Sequence, residues 1–241
     1  MHQAADHNAL TSPRRRSYPR MSSVSSSIHS PILAASALAC RRGERLLFKG
    51  LNLALRPGQI VWVRGNNGRG KTSLLRLLAG LAVPAEGEIT WRSEPLRKVR
   101  SAHAGSLLYL AHANALKDDL SVNEALVFLA QVHGQVADEQ ATSQALRRFG
   151  LISRRAAAVR TLSQGQKRRV ALARLALQPA KPLWILDEPY DALDAEGSAV
   201  VDELITAHAA KGGGVVLTSH QPLAITQPAP TSLVLDDHAA P

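Results

Sequence analysis

Short apolar runs alternate with longer amphipathic segments along most of the chain. Residues 46–55 (LLFKGLNLAL) alternate loosely, and an Arg-Pro-Gly turn leads into residues 59–64 (QIVWVR), a β-branched run typical of a buried strand. Residues 72–81 then place apolar side chains at helical spacing. Two further apolar runs, 183–186 and 215–218, each end in polar residues. The pattern predicts strands and helices in alternation.

Such alternation predicts an α/β domain with a mainly parallel sheet and helices packed against it. Residues 122–134 and 138–150 have a helical, charged pattern, and each segment ends in a glycine. We expect them to belong to a helical insertion, over about residues 114–175. The chain contains no internal repeat, so we expect a single domain over residues 31–237, followed by a short tail of residues 238–241.

Residues 1–30 lack this patterning. They contain a run of serines and several arginines with few acidic residues, a composition that buries too little apolar surface to offset its ordering entropy. We expect a disordered tail. Two interpretations stay open: an organelle transit peptide, or a reading frame that opens too early, with Met21 or a later codon as the true start. We favour the second.

Composition narrows the class of protein. At 241 residues and 45% hydrophobic content the chain can form one large domain, and no stretch reaches the roughly 18 apolar residues that a membrane span needs. The formal net charge of +10 would suit nucleic acid or an anionic membrane. The basic residues are scattered, however, and few aromatics are available for base stacking, so we expect no nucleic-acid binding. Cys40 is the only cysteine, which excludes an intramolecular disulfide.

Residues 65–72 (GNNGRGKT) match the P-loop pattern G-x-x-x-x-G-K-[ST] at every fixed position, directly after a predicted strand and before a predicted helix. The glycines let successive backbone N–H groups point at phosphates, and the helix start adds positive potential. We expect Lys71 to contact the β- and γ-phosphates of ATP and the Thr72 hydroxyl to ligate Mg²⁺. The predicted nucleotide-binding residues of this segment are Gly65, Asn66, Asn67, Gly68, Arg69, Gly70, Lys71, Thr72 and Ser73.

The apolar run 183–186 ends in two carboxylates, Asp187 and Glu188. A carboxylate at a strand end can hold Mg²⁺ through its water shell, and we expect this of Asp187. We expect Glu188 to polarise the attacking water as a general base. Without a P-loop upstream, the pair would as readily be a solvated strand end.

Residues 162–166 (LSQGQ) precede a basic, helix-forming segment, residues 167–174 (KRRVALAR). A serine hydroxyl and glycine N–H groups at a helix start form an anion cradle, and Ser163 would also cap the helix. These residues resemble the LSGGQ signature of ATP-binding cassette proteins, with Gln164 in place of the commoner glycine. The chain is similar to this family over roughly residues 32–237.

The resemblance implies a homodimer with two shared ATP sites. In the family, the signature of one subunit closes over nucleotide held by the other, which implies this role for Ser163, Gly165 and Gln166. Residues 192–194 (ALD) resemble the D-loop that crosses the dimer interface.

Two histidines also match positions of the family. His220 resembles the switch histidine that contacts the γ-phosphate, so we expect it to take part in catalysis. His112 occupies the position of the Q-loop glutamine, where a histidine can hydrogen-bond a water or transmit movement. No aromatic residue lies near residues 40–42, where many cassettes stack adenine, and base specificity is therefore expected to be loose.

Within the family, the chain is most similar to the ATP-binding subunit of the bacterial haem exporter of cytochrome c maturation. The shared phrases are YLAH (109–112), SQGQKRRVALARL (163–175), LWILDEPYDALD (183–194) and TSHQPL (218–223). This implies an ATPase coupled to transport, docked on integral permease subunits at the cytoplasmic face of the bacterial inner membrane. Two alternatives stay open: the ATPase subunit of another exporter, and a soluble cassette ATPase outside transport.

Overall fold

Two β-sheets, one antiparallel and one parallel, form the framework of the domain. The computed structural model describes residues 30–134, 136–178 and 180–239, so the predicted tail of residues 1–30 lies outside it except for Ser30. In chain order the strands are β1 (Leu33–Arg42), β2 (Arg45–Leu55), β3 (Ile60–Arg64), β4 (Glu86–Trp91), β5 (Glu94–Pro95), β6 (Leu107–Leu110), β7 (Leu183–Leu186), β8 (Gly214–Thr218) and β9 (Thr231–Val234).

The parallel sheet has the order β6-β7-β8-β3-β9, and every neighbouring pair in it is parallel. The prediction of an α/β fold with a parallel sheet core is confirmed. Its strands β7 and β8 are buried along their whole length, because side chains alternate across the sheet and both faces are covered there. Trp184 and Leu186 of β7 pack in one hydrophobic cluster, whereas Leu183 and Ile185 pack in the other.

The antiparallel sheet has the order β2-β1-β4-β5, and sequence reasoning did not predict it. Irregular register between β1 and its neighbours interrupts the two-residue alternation, and Ala37 within β1 has a positive φ of 48°. The backbones of β1 and β4 also approach each other closely at Gly87 of β4. A Cβ there would lie 2.4 Å from the carbonyl oxygen of Ser36, so only glycine fits.

The helices are α1 (Lys71–Leu78), α2 (Arg100–Ser106), α3 (Val122–Val132), α4 (Glu139–Arg148), α5 (Gln164–Leu172), α6 (Arg174–Leu177) and α7 (Ala195–Ala210). They cover both faces of the parallel sheet. On one face α1 packs with the antiparallel sheet in one hydrophobic cluster, and on the other face α3 to α7 contribute to the second cluster. The helices α3 to α6 lie between residues 122 and 177, and their assignment to a helical insertion over about residues 114–175 stays a prediction. Among the described helices none is both long and apolar enough to cross a membrane.

Candidate nucleotide site

The loop between β3 and α1 forms the centre of the candidate site. Gly65, Gly68 and Gly70 have φ values of 146°, 77° and 101°, which other residues rarely adopt. No side chain caps the start of α1, so its first N–H groups face the loop without a side-chain acceptor. A helix start in this condition is suited to bind an anion.

Two contacts hold this loop in place. Asp236, which follows β9, accepts a hydrogen bond from the N–H of Asn66 at 3.0 Å and forms an ion pair with Arg69 at 3.0 Å. The Nζ of Lys71 donates to the carbonyl oxygen of Gly65 at 2.7 Å. Sequence reasoning missed Asp236, because no local pattern connects it with a loop so far away in the chain.

The Asp187 carboxylate is the most buried acid of the site, at 1% exposure. The Thr218 hydroxyl donates to its Oδ1 at 2.9 Å and accepts a hydrogen bond from the N–H of Glu188 at 2.8 Å. Among the described residues, the other oxygen, Oδ2, is buried and has no hydrogen-bond partner. Leaving a carboxylate oxygen buried and unpaired is costly. A hard cation would satisfy it, so the donor set fits Mg²⁺.

Glu188 lies beside His220 at the ends of β7 and β8. Its Oε2 accepts a hydrogen bond from the His220 N–H at 3.0 Å, and its Oε1 is 3.4 Å from the His220 Nε2. Burial raises the pKa of the Glu188 carboxyl above its usual value, and His220 opposes this through its ring and its N–H. A carboxylate whose pKa lies above the usual range is better suited to accept a proton near neutral pH.

The P-loop, the two carboxylates Asp187 and Glu188, and His220 line one cavity of about 340 Å³. His112 lines it, with its Nδ1 3.5 Å from the Asp191 carboxylate. Arg42 and Leu47, from the hairpin of β1 and β2, also line it, although sequence reasoning assigned them no role. Most of the predicted site residues meet here, namely Asn66, Asn67, Gly68, Gly70, Lys71, Thr72, Ser73, His112, Asp187, Glu188 and His220.

The signature residues Ser163, Gly165 and Gln166 do not line this cavity. Ser163 instead caps α5: its Oγ accepts from the Gln166 N–H at 3.2 Å, and the Gln166 side chain accepts from the Ser163 N–H at 3.0 Å. A Cβ at Gly165 would lie 2.8 Å from the carbonyl oxygen of Ala192, so glycine allows this backbone to approach. Within one chain, the signature therefore contacts the predicted D-loop rather than the P-loop.

Arg168 is the residue of the site that sequence reasoning most clearly missed. It is 3% exposed and donates five hydrogen bonds, to the carbonyl oxygens of Ala111, His112, Asp187 and Glu188 and to the side chain of Asn114. These bonds tie the start of α5 to the ends of β6 and β7. A signal was available: Arg168 lies three and four residues before the buried Ala171 and Leu172, on the apolar face of α5.

A P-loop that faces buried carboxylates at the ends of parallel strands defines a P-loop nucleotide-binding fold. The family model described as ABC transporter matches residues 48–191, and the chain belongs to this family. It is an ATP-binding ATPase of the ABC transporter class.

Sequence similarity to two named relatives extends over most of this chain. The cytochrome c biogenesis ATP-binding export protein CcmA of Methylococcus capsulatus is 50% identical over 191 residues, which cover 79% of this chain and 92% of that protein. The protein of the same name in Aromatoleum aromaticum is 48% identical over 210 residues, covering 87% and 98%.

A solved structure of a putative ABC transporter ATP-binding protein from Pyrococcus furiosus shares the fold. Its TM-score is 0.73 at 23% identity, and the match covers 86% of this chain and 99% of that one. A second structure, of the ATP-binding subunit of an ABC transporter, also has a TM-score of 0.73, with 84% and 85% covered. At this identity the likeness concerns the fold alone.

Proposed function

We propose that this chain hydrolyses ATP as a subunit of the haem exporter used in c-type cytochrome biogenesis. The observation that carries the proposal is the 50% identity to a cytochrome c biogenesis ATP-binding export protein, over nearly all of that relative. His112 adds support by resemblance: haem-exporter ATPase subunits typically have a histidine at the Q-loop position, and His112 lines the nucleotide cavity.

The nucleotide chemistry follows from the geometry of the cavity. The P-loop N–H groups and Lys71 would bind the phosphates of ATP, and Asp187 and Thr72 would hold Mg²⁺. When bound, Mg²⁺ would neutralise charge on the phosphate oxygens. Glu188, fixed by the His220 N–H, would accept a proton from the attacking water. The His220 ring lies close enough to Glu188 to orient this carboxylate.

We infer that the signature acts in trans, in a homodimer. Ser163, Gly165 and Gln166 do not line the cavity of their own chain, and they lie at the start of α5, where the helix dipole favours an anion. In the dimer they would close over ATP in the other subunit. The backbone contact of Gly165 with Ala192 would then let the D-loop respond to that closure.

We also infer peripheral attachment to permease subunits at the cytoplasmic face of the inner membrane. A groove runs between the parallel sheet and the helical insertion, beside the segment 112–120. Ala111, Ala113 and Asn114 line this groove, whereas His112 lines the nucleotide cavity. A permease segment bound there would contact the same stretch of chain that borders the phosphates.

A genetic experiment tests the proposed function. In cells that lack this chain, c-type cytochromes are expected to be absent, and the wild-type chain should restore them whereas Glu188→Gln should not. The wild-type chain should sediment with membranes only when the permease subunits are co-expressed, and it should resist a high-salt wash. Normal cytochrome c assembly in cells without the chain would refute the haem-exporter proposal.

A further inference from the structure

Asp236 lies beside the start of the P-loop because of the register between two parallel strands. In the pairing of β9 with β3, Val234 is the partner of Arg64. Two residues further along each strand, Asp236 therefore lies opposite Asn66. Leu235, the residue before Asp236, is fully buried in the hydrophobic core, which fixes this turn against the body of the domain.

One peptide group of the P-loop is held from both sides. Its N–H belongs to Asn66 and donates to the Asp236 Oδ2 at 3.0 Å. Its carbonyl belongs to Gly65 and accepts from the Lys71 Nζ at 2.7 Å. The carboxylate and the ammonium are thus connected through a single planar unit. Hydrogen bonds in such a chain polarise one another, so a charged acceptor on the N–H strengthens the carbonyl as an acceptor for Lys71.

Gly65 makes this peptide both accessible and easy to rotate. A Cβ at Gly65 would lie 3.2 Å from the Cβ of Leu235 and 3.5 Å from the Asp236 Oδ2, so glycine lets the turn approach. Glycine also restrains its own backbone dihedral angles least of all residues. Without an external partner for the N–H, the peptide would be free to rotate, and its carbonyl would no longer face Lys71.

The second contact of Asp236, with Arg69, is less directional. The Arg69 Nε lies 3.0 Å from the Asp236 Oδ1, but that buried oxygen has no hydrogen-bond partner among the described residues. The Arg69 side chain is 39% exposed, and Arg69 does not line the nucleotide cavity. A partly exposed ion pair contributes little to stability. The hydrogen bond to the Asn66 N–H is therefore the contact through which Asp236 acts on the loop.

We infer that Asp236 is a positioning residue for nucleotide binding, which keeps the Gly65 carbonyl turned toward Lys71 by holding the Asn66 N–H. The inference rests on the proposed function, in which Lys71 binds the phosphates of ATP. Without this carboxylate, only a fraction of the molecules would hold the loop in its binding orientation, and the apparent affinity for ATP would fall by that fraction. Once ATP saturates the site every loop is ordered, so turnover at saturation is unaffected.

The test compares Asp236→Ala, Asp236→Asn and a control, Asp237→Ala, which removes an exposed carboxylate from the same turn. The Kd of Mg-ATP, KM and kcat are measured in the preparation in which the wild-type chain hydrolyses ATP. We expect Asp236→Ala to raise Kd and KM about tenfold while kcat changes less than about twofold. Asp236→Asn keeps an oxygen that can accept from the Asn66 N–H but lacks the charge, so it should raise Kd only about threefold. The control should leave all three unchanged.

Equal ATP affinity of the wild-type chain and Asp236→Ala would overturn the inference, as would a loss confined to kcat. Arg69→Met removes the ion pair but not the hydrogen bond, and a loss of affinity as large as that of Asp236→Ala would likewise overturn it. Unchanged ATP affinity in Lys71→Ala would instead count against the proposed function. If Asp236→Ala does not fold, Asp236→Asn decides: a loss confined to Kd and KM supports the inference, and wild-type affinity overturns it.

Discussion

Replacing Arg168 by methionine tests whether this side chain holds the carboxylate strands against the helical insertion. The Nη2 atom donates to the carbonyl oxygens of Asp187 at 2.9 Å and Glu188 at 2.6 Å, while Nη1 is shared among three acceptors at 3.1 to 3.2 Å. Each bond to a charged donor contributes about 1.5–3 kcal/mol. Counting the two Nη2 bonds in full, we expect Arg168→Met to lower the free energy of unfolding by about 3–6 kcal/mol.

The measurement is urea unfolding followed by far-ultraviolet circular dichroism, with the midpoint compared at constant m-value. Arg168→Lys keeps the charge but has one donor atom, so we expect roughly half of the loss. The matched control is the exposed Arg147→Met, which should change stability by no more than about 0.5 kcal/mol. A loss below about 1 kcal/mol in Arg168→Met would show that these hydrogen bonds do not fix the two elements together.

Three further predictions concern the site and the core. Glu188→Gln should retain ATP binding while turnover falls about 10²–10³-fold, whereas Lys71→Ala should weaken both. Neither Lys71→Ala nor Ser163→Arg should hydrolyse ATP alone, but mixed dimers of the two should regain one site that traps nucleotide. His103 is buried and its pKa is lowered to about 4, so the folded chain binds its proton later than the unfolded chain as the pH falls. Stability should therefore decrease between about pH 6.5 and pH 4, by about 3 kcal/mol, and His103→Phe should remove this decrease.

Each of these has an outcome that contradicts it. Near-wild-type turnover in Glu188→Gln would exclude that residue as the base, and mixed dimers that trap no nucleotide would exclude the shared site. For His103 the measurement is the unfolding free energy at a series of pH values, with a substitution of the exposed His112 as the control. Equal pH dependence of the wild-type chain and His103→Phe would show that this histidine does not titrate on unfolding.

The parts of the site that could be predicted from the sequence are motifs of residues close together in the chain. The P-loop is contiguous, and the Asp187–Glu188 pair follows an apolar strand, so spacing along the chain carries the information. The roles of Asp236 and Arg168 were not predicted, because each residue contacts distant parts of the chain and neither belongs to a local phosphate-binding pattern. Arg168 belonged to a basic run that could as well have been a solvated helix face.

The antiparallel sheet was not predicted, for a different reason. Its first strand contains a positive φ at Ala37 and irregular pairing, so the apolar residues do not alternate strictly. The parallel sheet was easier to predict, because strands buried on both faces give continuous apolar runs such as residues 183–186. The homodimer and the roles of Ser163, Gly165 and Gln166 came from family resemblance and remain predictions.

The stretch from Ala111 to Asn114 separates the nucleotide cavity from the groove beside α3. His112 lines the nucleotide cavity, whereas Ala111, Ala113 and Asn114 line the groove. A ligand in the groove that shifts this stretch would also act on the nucleotide cavity, and by linkage any such coupling is reciprocal. Whatever factor a groove occupant imposes on nucleotide affinity, nucleotide must impose the same factor on the affinity of that occupant. Nucleotide affinity measured with and without the proposed membrane subunits therefore also gives the factor by which ATP would strengthen or weaken binding of the chain to them.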